Sequence, residues 1–285
     1  MSEQALRVLV PLDGSDEAES VFPLLDALAH FRPIRLTLLR VVAADEPTAS
    51  ASRYLGSLLE WLRRRNLPSE TKCEWGRPAR EILWLGKGVR FDLIAMSTHG
   101  RTGLRRTLMG SVTEEVLRHA EIPLLINRPG TRPGSWEQIL ACLDGSKLAE
   151  QILPDAQRLA RMTGGHLHLI QAARPATLVG AEEGGVYLPA ENPLPYLRSV
   201  CERLEAPGIP ASPVVKEGPP AAVICRSAEE VGAGLIMMAT HGRTGLGRFF
   251  LGSTAEEVLR HSPCPVYVRR TVAMPVESGT PVARV

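Results

Sequence analysis

The stretch LVPLDGSDEAE at Leu9–Glu19 returns as LACLDGSKLAE at Leu140–Glu150, and that return decides how the whole chain is read. Downstream, THGRTGL at Thr98–Leu104 reappears unchanged at Thr240–Leu246. GSVTEEVLRH at Gly110–His119 reappears as GSTAEEVLRH at Gly252–His261, and IPLLINR at Ile122–Arg128 is answered by CPVYVRR at Cys264–Arg270. The blocks keep their order, so the chain is the duplication of a whole domain and not an array of short repeats. The first block is offset by 131 residues and the later ones by 142, which leaves 11 extra residues in the second copy. Arg174–Pro195, rich in Gly, Pro, Ala and Glu and lacking either periodicity, reads as the longer loop that holds them.

Within each copy, short apolar runs alternate with amphipathic ones. In the first, Leu6–Pro11, Arg35–Val42, Thr71–Trp75, Leu93–Ser97 and Leu124–Asn127 read as strands. Asp16–Ala29, Ser50–Asn66, Pro78–Val89 and Ser111–Ala120 read as helices, Pro78 falling in a first turn where its missing N–H costs nothing. Near-continuous apolar strands between helices predict an α/β fold with a parallel sheet covered on both faces. The expected fold is two tandem five-stranded parallel-sheet domains of flavodoxin-like order. Residues 1–128 and 136–270 form the domains, Pro129–Ser135 (PGTRPGS) the linker, and 271–285 a Pro-rich tail. Strand five of each copy is apolar and lies at a sheet edge, so the two copies are expected to pair these edges into an internal pseudo-dimer.

Composition narrows the function. At 285 residues each copy can bury its own core. Lys and Arg number 33 against 31 Asp and Glu, a balance that argues against a nucleic-acid partner. The apolar run near the N-terminus is shorter than a signal-peptide core, and no apolar stretch approaches membrane-spanning length, so a soluble cytoplasmic protein is expected. The cysteines, Cys73, Cys142, Cys201, Cys225 and Cys264, are scattered without a CxxC pair and read as reduced thiols.

In a doubly wound sheet, ligands collect at the carboxyl ends of the strands. Two segments of each copy belong there. One is the turn after strand one, with Pro11 and Asp13 in the first copy and Asp144 in the second. The other follows strand four: Ser97-Thr98-His99-Gly100, nine residues beginning with Arg101, then Gly110-Ser111-Val112. Its counterpart is Ala239-Thr240-His241-Gly242, nine residues beginning with Arg243, then Gly252-Ser253-Thr254. Glycine allows close approach and positive φ, and free N–H groups at a helix start favour an anion. Gly-Ser before a helix is equally an ordinary N-cap. Asp13 divides between ligand contact and helix capping. His99 and His241 read as hydrogen-bonded loop residues, Arg105, Arg106 and Arg248 as surface charge, and Trp61, Trp75 and Trp84 as core or interface packing. The chain contains neither GxxxxGK[ST] nor GxGxxG.

The strand-one DGS, the strand-four THGRTGL, the nine-residue spacing to GS, EEVLRH and a final PVYV together resemble the universal stress protein family over Ala5–Arg128 and Trp136–Arg270. The resemblance implies an adenine nucleotide alpha hydrolase-like fold and a stress-response regulatory protein that binds ATP, ADP or AMP, with Mg or Mn beside a triphosphate. It implies that Gly100, Gly110 and Ser111 hold phosphates while Asp13 and the backbone near Val41 meet ribose and adenine; Gly242, Gly252, Ser253, Asp144 and Ala172 match in the second copy. It further implies a homodimer of two-domain chains and regulatory protein partners. One departure stands out. The ATP-binding branch carries G-2x-G-9x-G-[S/T], and its first glycine is Ser97 here and Ala239 in the repeat. Two other readings therefore compete: a scaffold that has lost its ligand, and a slow ATPase or nucleotidyl-type enzyme, the last disfavoured because no nucleophile–base pair is visible.

Overall fold

The computed structural model describes residues 4–43, 48–88, 90–98, 109–131, 134–179, 186–188, 190–240 and 251–271. The first half runs β1 (Leu6–Leu12), α1 (Asp16–Glu19), α2 (Phe22–Ala29), β2 (Ile34–Val42), α3 (Thr48–Arg63), β3 (Ser69–Trp75), α4 (Pro78–Leu85), β4 (Leu93–Ser97), α5 (Ser111–His119) and β5 (Leu124–Asn127). The second begins with β6 (Gln138–Cys142), a 3₁₀ turn (Ala149–Ile152), α6 (Leu153–Thr163) and β7 (His166–Ala173). It continues through β8 (Thr177–Val179), β9 (Val186–Leu188), α7 (Leu194–Glu205), β10 (Ala211–Glu217), α8 (Pro220–Glu230), β11 (Leu235–Thr240), α9 (Ser253–His261) and β12 (Val266–Arg270).

Each half is a parallel sheet, ordered β3-β2-β1-β4-β5 and β10-β7-β6-β11-β12. The expected doubly wound class holds, but strand three lies outside strand two: this is the 3-2-1-4-5 order, not the flavodoxin 2-1-3-4-5. Burial explains the apolar runs. Val8 and Val10 point into the core on one face of the sheet while Leu9 points into the core on the other, and all three are fully buried. Pro213 sits in β10, an outermost strand, where its missing N–H breaks no inner ladder.

The two sheets become one. β5 and β12 pair antiparallel, with Val266 opposite Ile126, Tyr267 opposite Leu125 and Val268 opposite Leu124, giving ten continuous strands. Both strand-five edges are consumed, as the apolar edges required. The cores follow suit: Leu125 shares one cluster with Leu235 and Met237, and Ile126 shares the other with Val266. Polar contacts reinforce the seam. Arg128 Nε donates to the Ser262 carbonyl at 3.1 Å, and Phe31 stacks on Trp136 with ring centroids 6.3 Å apart. Beside β12, the buried Asp155 carboxylate accepts from Tyr267 Oη at 3.0 Å and from Arg269.

Several expectations are corrected. The helix expected over Asp16–Ala29 is two helices, because Pro23 lies in the first turn of α2 and cannot donate to a carbonyl of the preceding turn. Pro154 divides the second half at the same place. The segment read as a longer loop contains an antiparallel ladder, Thr177–Val179 on Val186–Leu188. Trp61, Trp75 and Trp84 are exposed, not core; Trp61 packs on Phe22 and carries the Arg65 guanidinium 3.9 Å above its ring. The buried tryptophan is Trp136. The five cysteines are free thiols, and no helix among the described residues is long and apolar enough to cross a membrane. The tail 272–285 lies outside the described residues.

On β7, His168 Nε2 meets Gln138 Oε1 at 2.7 Å and its Nδ1 meets the Ser212 hydroxyl at 3.1 Å. That tautomer is neutral, with Nε2 donating and Nδ1 accepting. Burial first, and then the neighbouring His166, hold His168 below its ordinary pKa. The unfolded chain therefore takes up a proton at higher pH than the fold does, so this contribution is present above about pH 6.5 and is lost as pH falls towards the folded value. Two outcomes are expected. His168→Gln should flatten the decline in urea-unfolding stability below pH 6.5, and an unchanged slope would contradict the assignment. Tyr267→Phe should cost about 1–2 kcal/mol in the same measurement, because a buried carboxylate loses one donor.

Candidate functional site

The carboxyl ends of β1, β2 and β4 open into a cleft of about 240 Å³, lined among others by Pro11, Asp13, Val41, Ser97, Gly110, Ser111 and Val112. The second half has its equivalent, about 500 Å³, lined by Asp144, Ala172, Ala239, Gly252, Ser253 and Thr254. Every described residue expected to bind the ligand thus lines one of two clefts at the point where strand order reverses. His99, Gly100, Arg101, Arg105, Arg106, His241, Gly242, Arg243 and Arg248 lie outside the described residues.

The turn after β1 is built by its own side chains. Gly14 has φ 83° and Gly145 φ 81°, a conformation that L side chains resist, so glycine is required at this bend. Asp13 Oδ1 accepts from the Ser15 amide at 3.1 Å and its hydroxyl at 2.6 Å, while Ser15 Oγ caps α1 by accepting from the Ala18 amide at 3.2 Å. In the second half Asp144 accepts from the Ser146 amide at 2.9 Å, and Ser146 Oγ accepts from the Ala149 amide at 3.1 Å. The cap is therefore the serine. Asp13 and Asp144 hold the serine in place and also line the clefts.

The helix mouths differ from expectation in one respect. Gly110 has φ −62° and ψ 141°, and Gly252 φ −56° and ψ 141°, extended values open to any residue. Glycine here supplies space, not a special dihedral: a Cβ at Gly252 would meet nothing within 4 Å, and one at Gly110 only the Thr98 carbonyl at 3.4 Å. The Gly110 N–H, expected to face a ligand, donates to that same carbonyl at 2.8 Å. The amides at this mouth with no backbone partner among the described residues are those of the first turn of α5, from Ser111 onward. No carbonyl within a helix can accept from first-turn amides, and among the described residues neither α5 nor α9 has a side-chain cap. Thr113 Oγ1 ties that turn to the Ser97 carbonyl at 2.9 Å.

Several polar residues on the clefts were not picked out from sequence, among them Arg40, Gln171 and Glu191. Arg40, in β2, is 6% exposed and lines the first cleft beside Asp13. Of the two cations in IRLTLLRVV, Arg35 is exposed and Arg40 is buried, and a cation flanked by Leu39 and Val41 was the available signal. Gln171 and Glu191 line the second cleft, Glu191 reaching it from the segment read as loop. Behind the turns lies a recurring pair. Burial and the Glu19 carboxylate push the Tyr54 phenol up, and burial and Glu150, which accepts from Tyr196 Oη at 3.2 Å, do the same in the second half. In the first cleft the described titratable side chains are Asp13 and Arg40, a set suited to binding more than to proton transfer. Among the described residues no group of three or more His, Cys, Asp or Glu could hold a metal ion.

The model of the universal stress protein family matches residues 5–128 and again 135–270. Universal stress protein E of Salmonella typhi is 26% identical over 268 residues, spanning 85% of this chain and 82% of that one. A Mycobacterium tuberculosis universal stress protein is 26% identical over 299 residues, spanning 92% and 96%. Among solved structures, a universal stress protein from Archaeoglobus fulgidus superposes with TM-score 0.73 at 24% identity, covering 94% of this chain and 99% of that one. At that identity the superposition bears on the fold alone.

Proposed function

Since this chain belongs to the universal stress protein family, we propose that it is a stress-response regulator whose state is set by an adenine nucleotide in the cleft above β1 and β4. Adenine lies against Val41 and the apolar wall, ribose near Asp13, and phosphates on the first-turn amides of α5. The observation that carries this reading is that mouth: uncapped N–H groups behind a glycine whose missing side chain leaves the approach open. The buried Arg40 adds a cation to the same cleft. Residues 1–128 and 136–270 are the two ligand-bearing units, joined by 129–135 and followed by the tail. Binding drives regulation, with at most slow hydrolysis, and the ligand is ATP, ADP or AMP, with Mg or Mn beside a triphosphate. A homodimer of two-domain chains, cytoplasmic placement and regulatory protein partners belong to the same proposal.

A second reading has its own support. Ser97 and Ala239 stand where a nucleotide loop would carry glycine, and the Gly110 amide is already engaged, both of which suit a scaffold without ligand.

Thermal unfolding separates the two. A ligand at 100 times its dissociation constant that binds only the folded state adds about 2.7 kcal/mol. Millimolar ATP with Mg²⁺ should raise the midpoint, and the double variant Gly110→Val, Gly252→Val should remove the rise while still folding, because both positions have dihedrals valine accepts. An unmoved midpoint with ATP, ADP and AMP alike would leave the scaffold reading standing.

A further inference from the structure

The two clefts share one wall and differ in their charged side chains. Leu39, Ile82 and Met96 of the first are matched by Ile170, Ile224 and Met238 of the second, so an apolar, flat group is accommodated alike in both. Strand register identifies where they part. Pro11 is opposite Leu39 and Cys142 opposite Ile170, which makes Arg40 and Gln171 the equivalent next residues. A buried guanidinium in one half is a buried amide in the other, 6% and 5% exposed.

The amide is held by a residue with no counterpart. Glu191 comes from the segment that carries the second copy's extra residues. Its N–H donates to the Arg174 carbonyl at 3.0 Å, which pins its backbone at the cleft. Gln171 Nε2 donates to Glu191 Oε1 at 3.1 Å. That bond fixes which way the amide faces, since turning it over would set oxygen against oxygen. Gln171 Oε1 is left buried with no hydrogen-bond partner, an acceptor awaiting a donor. The cation nearby, Arg174, is 81% exposed and is engaged with Glu191 at 3.3 Å.

The described charges make the contrast plain. The first cleft holds one carboxylate, Asp13, and one buried cation, Arg40. The second holds two carboxylates, Asp144 and Glu191, and one solvent-facing cation, Arg174. Among the described residues, a phosphate entering the second cleft gains no buried guanidinium and meets an added carboxylate, whereas hydroxyl groups find acceptors in Glu191 and Gln171 Oε1. We infer that the two clefts take different ligands: the first a nucleoside phosphate, the second an uncharged nucleoside whose sugar hydroxyls donate to Glu191 and Gln171. The inference rests on the adenine-nucleotide reading and assigns Glu191 as the residue that excludes phosphate from the second site.

Isothermal titration of the full chain tests it with ATP·Mg²⁺ and adenosine as probes. The expected result is one ATP per chain and, with ATP saturating, one adenosine. Gly110→Val should abolish the ATP event and leave the adenosine event. Glu191→Gln should weaken adenosine at least tenfold, and Glu191→Gln with Gln171→Arg should raise ATP stoichiometry from one to two. Two equivalent ATP sites in the unaltered chain would overturn the inference while sparing the functional reading. So would variants at Glu191 that leave both ligands unchanged. Binding of neither ligand at any concentration would overturn the functional reading and this inference with it.

Discussion

The antiparallel ladder between β5 and β12 is the constraint on which the rest depends. Each half alone would end its sheet in an apolar edge strand with unpaired N–H and C=O groups, a template for aggregation. Pairing the edges satisfies those groups and merges both core layers, so that Leu124, Leu125 and Ile126 are buried between halves and not at a surface. The ladder also fixes the position of the clefts. Both open at the carboxyl ends of their own strands, and the antiparallel join relates the two halves by a pseudo-two-fold.

Duplication then frees one site from the other. The turn, the helix mouth and the apolar wall are present twice with nearly the same residues, since they are part of what makes the half fold. Arg40 and Gln171 are different, and Glu191 has no partner. In a homodimer of single domains any change in one cleft is a change in both. A fused pair escapes that symmetry, and the extra residues of the second half deliver a carboxylate to its cleft. Binding energy at such a site comes from few groups, each charge-assisted hydrogen bond being worth about 1.5–3 kcal/mol, so replacing one guanidinium by an amide and adding one carboxylate is enough to reverse a preference.

Much of this was legible in the sequence because it depends on pattern. The repeat, the strands within a residue or two, and the edge pairing follow from periodicity and from the need to bury apolar surface. What escaped depends on particular contacts. The break before α2 was written in Pro23, yet the amphipathic pattern ran straight across it. Gly110 and Gly252 were correctly placed at helix mouths, but the reason is open space and not positive φ. Arg40 looked like one of two cations in a strand, and only the folded structure shows it among the residues that line the cleft. Glu191 sat in a segment whose composition suggested no structure, and sequence spacing could not say that its carboxylate returns to β7. The exposed tryptophans err the other way: Trp61 covers Phe22 and pairs with Arg65 at the surface, a use of aromatic area that burial rules do not foresee.

The central claim is that an uncapped helix mouth, left open by glycine, is a seat for the phosphates of an adenine nucleotide. Native mass spectrometry of the intact chain purified from cells addresses it without choosing a ligand in advance. The account predicts a bound mass equal to that of an adenine nucleotide on a substantial fraction of chains, restored by adding ATP·Mg²⁺ after stripping. Bare polypeptide both as purified and at saturating nucleotide would contradict it.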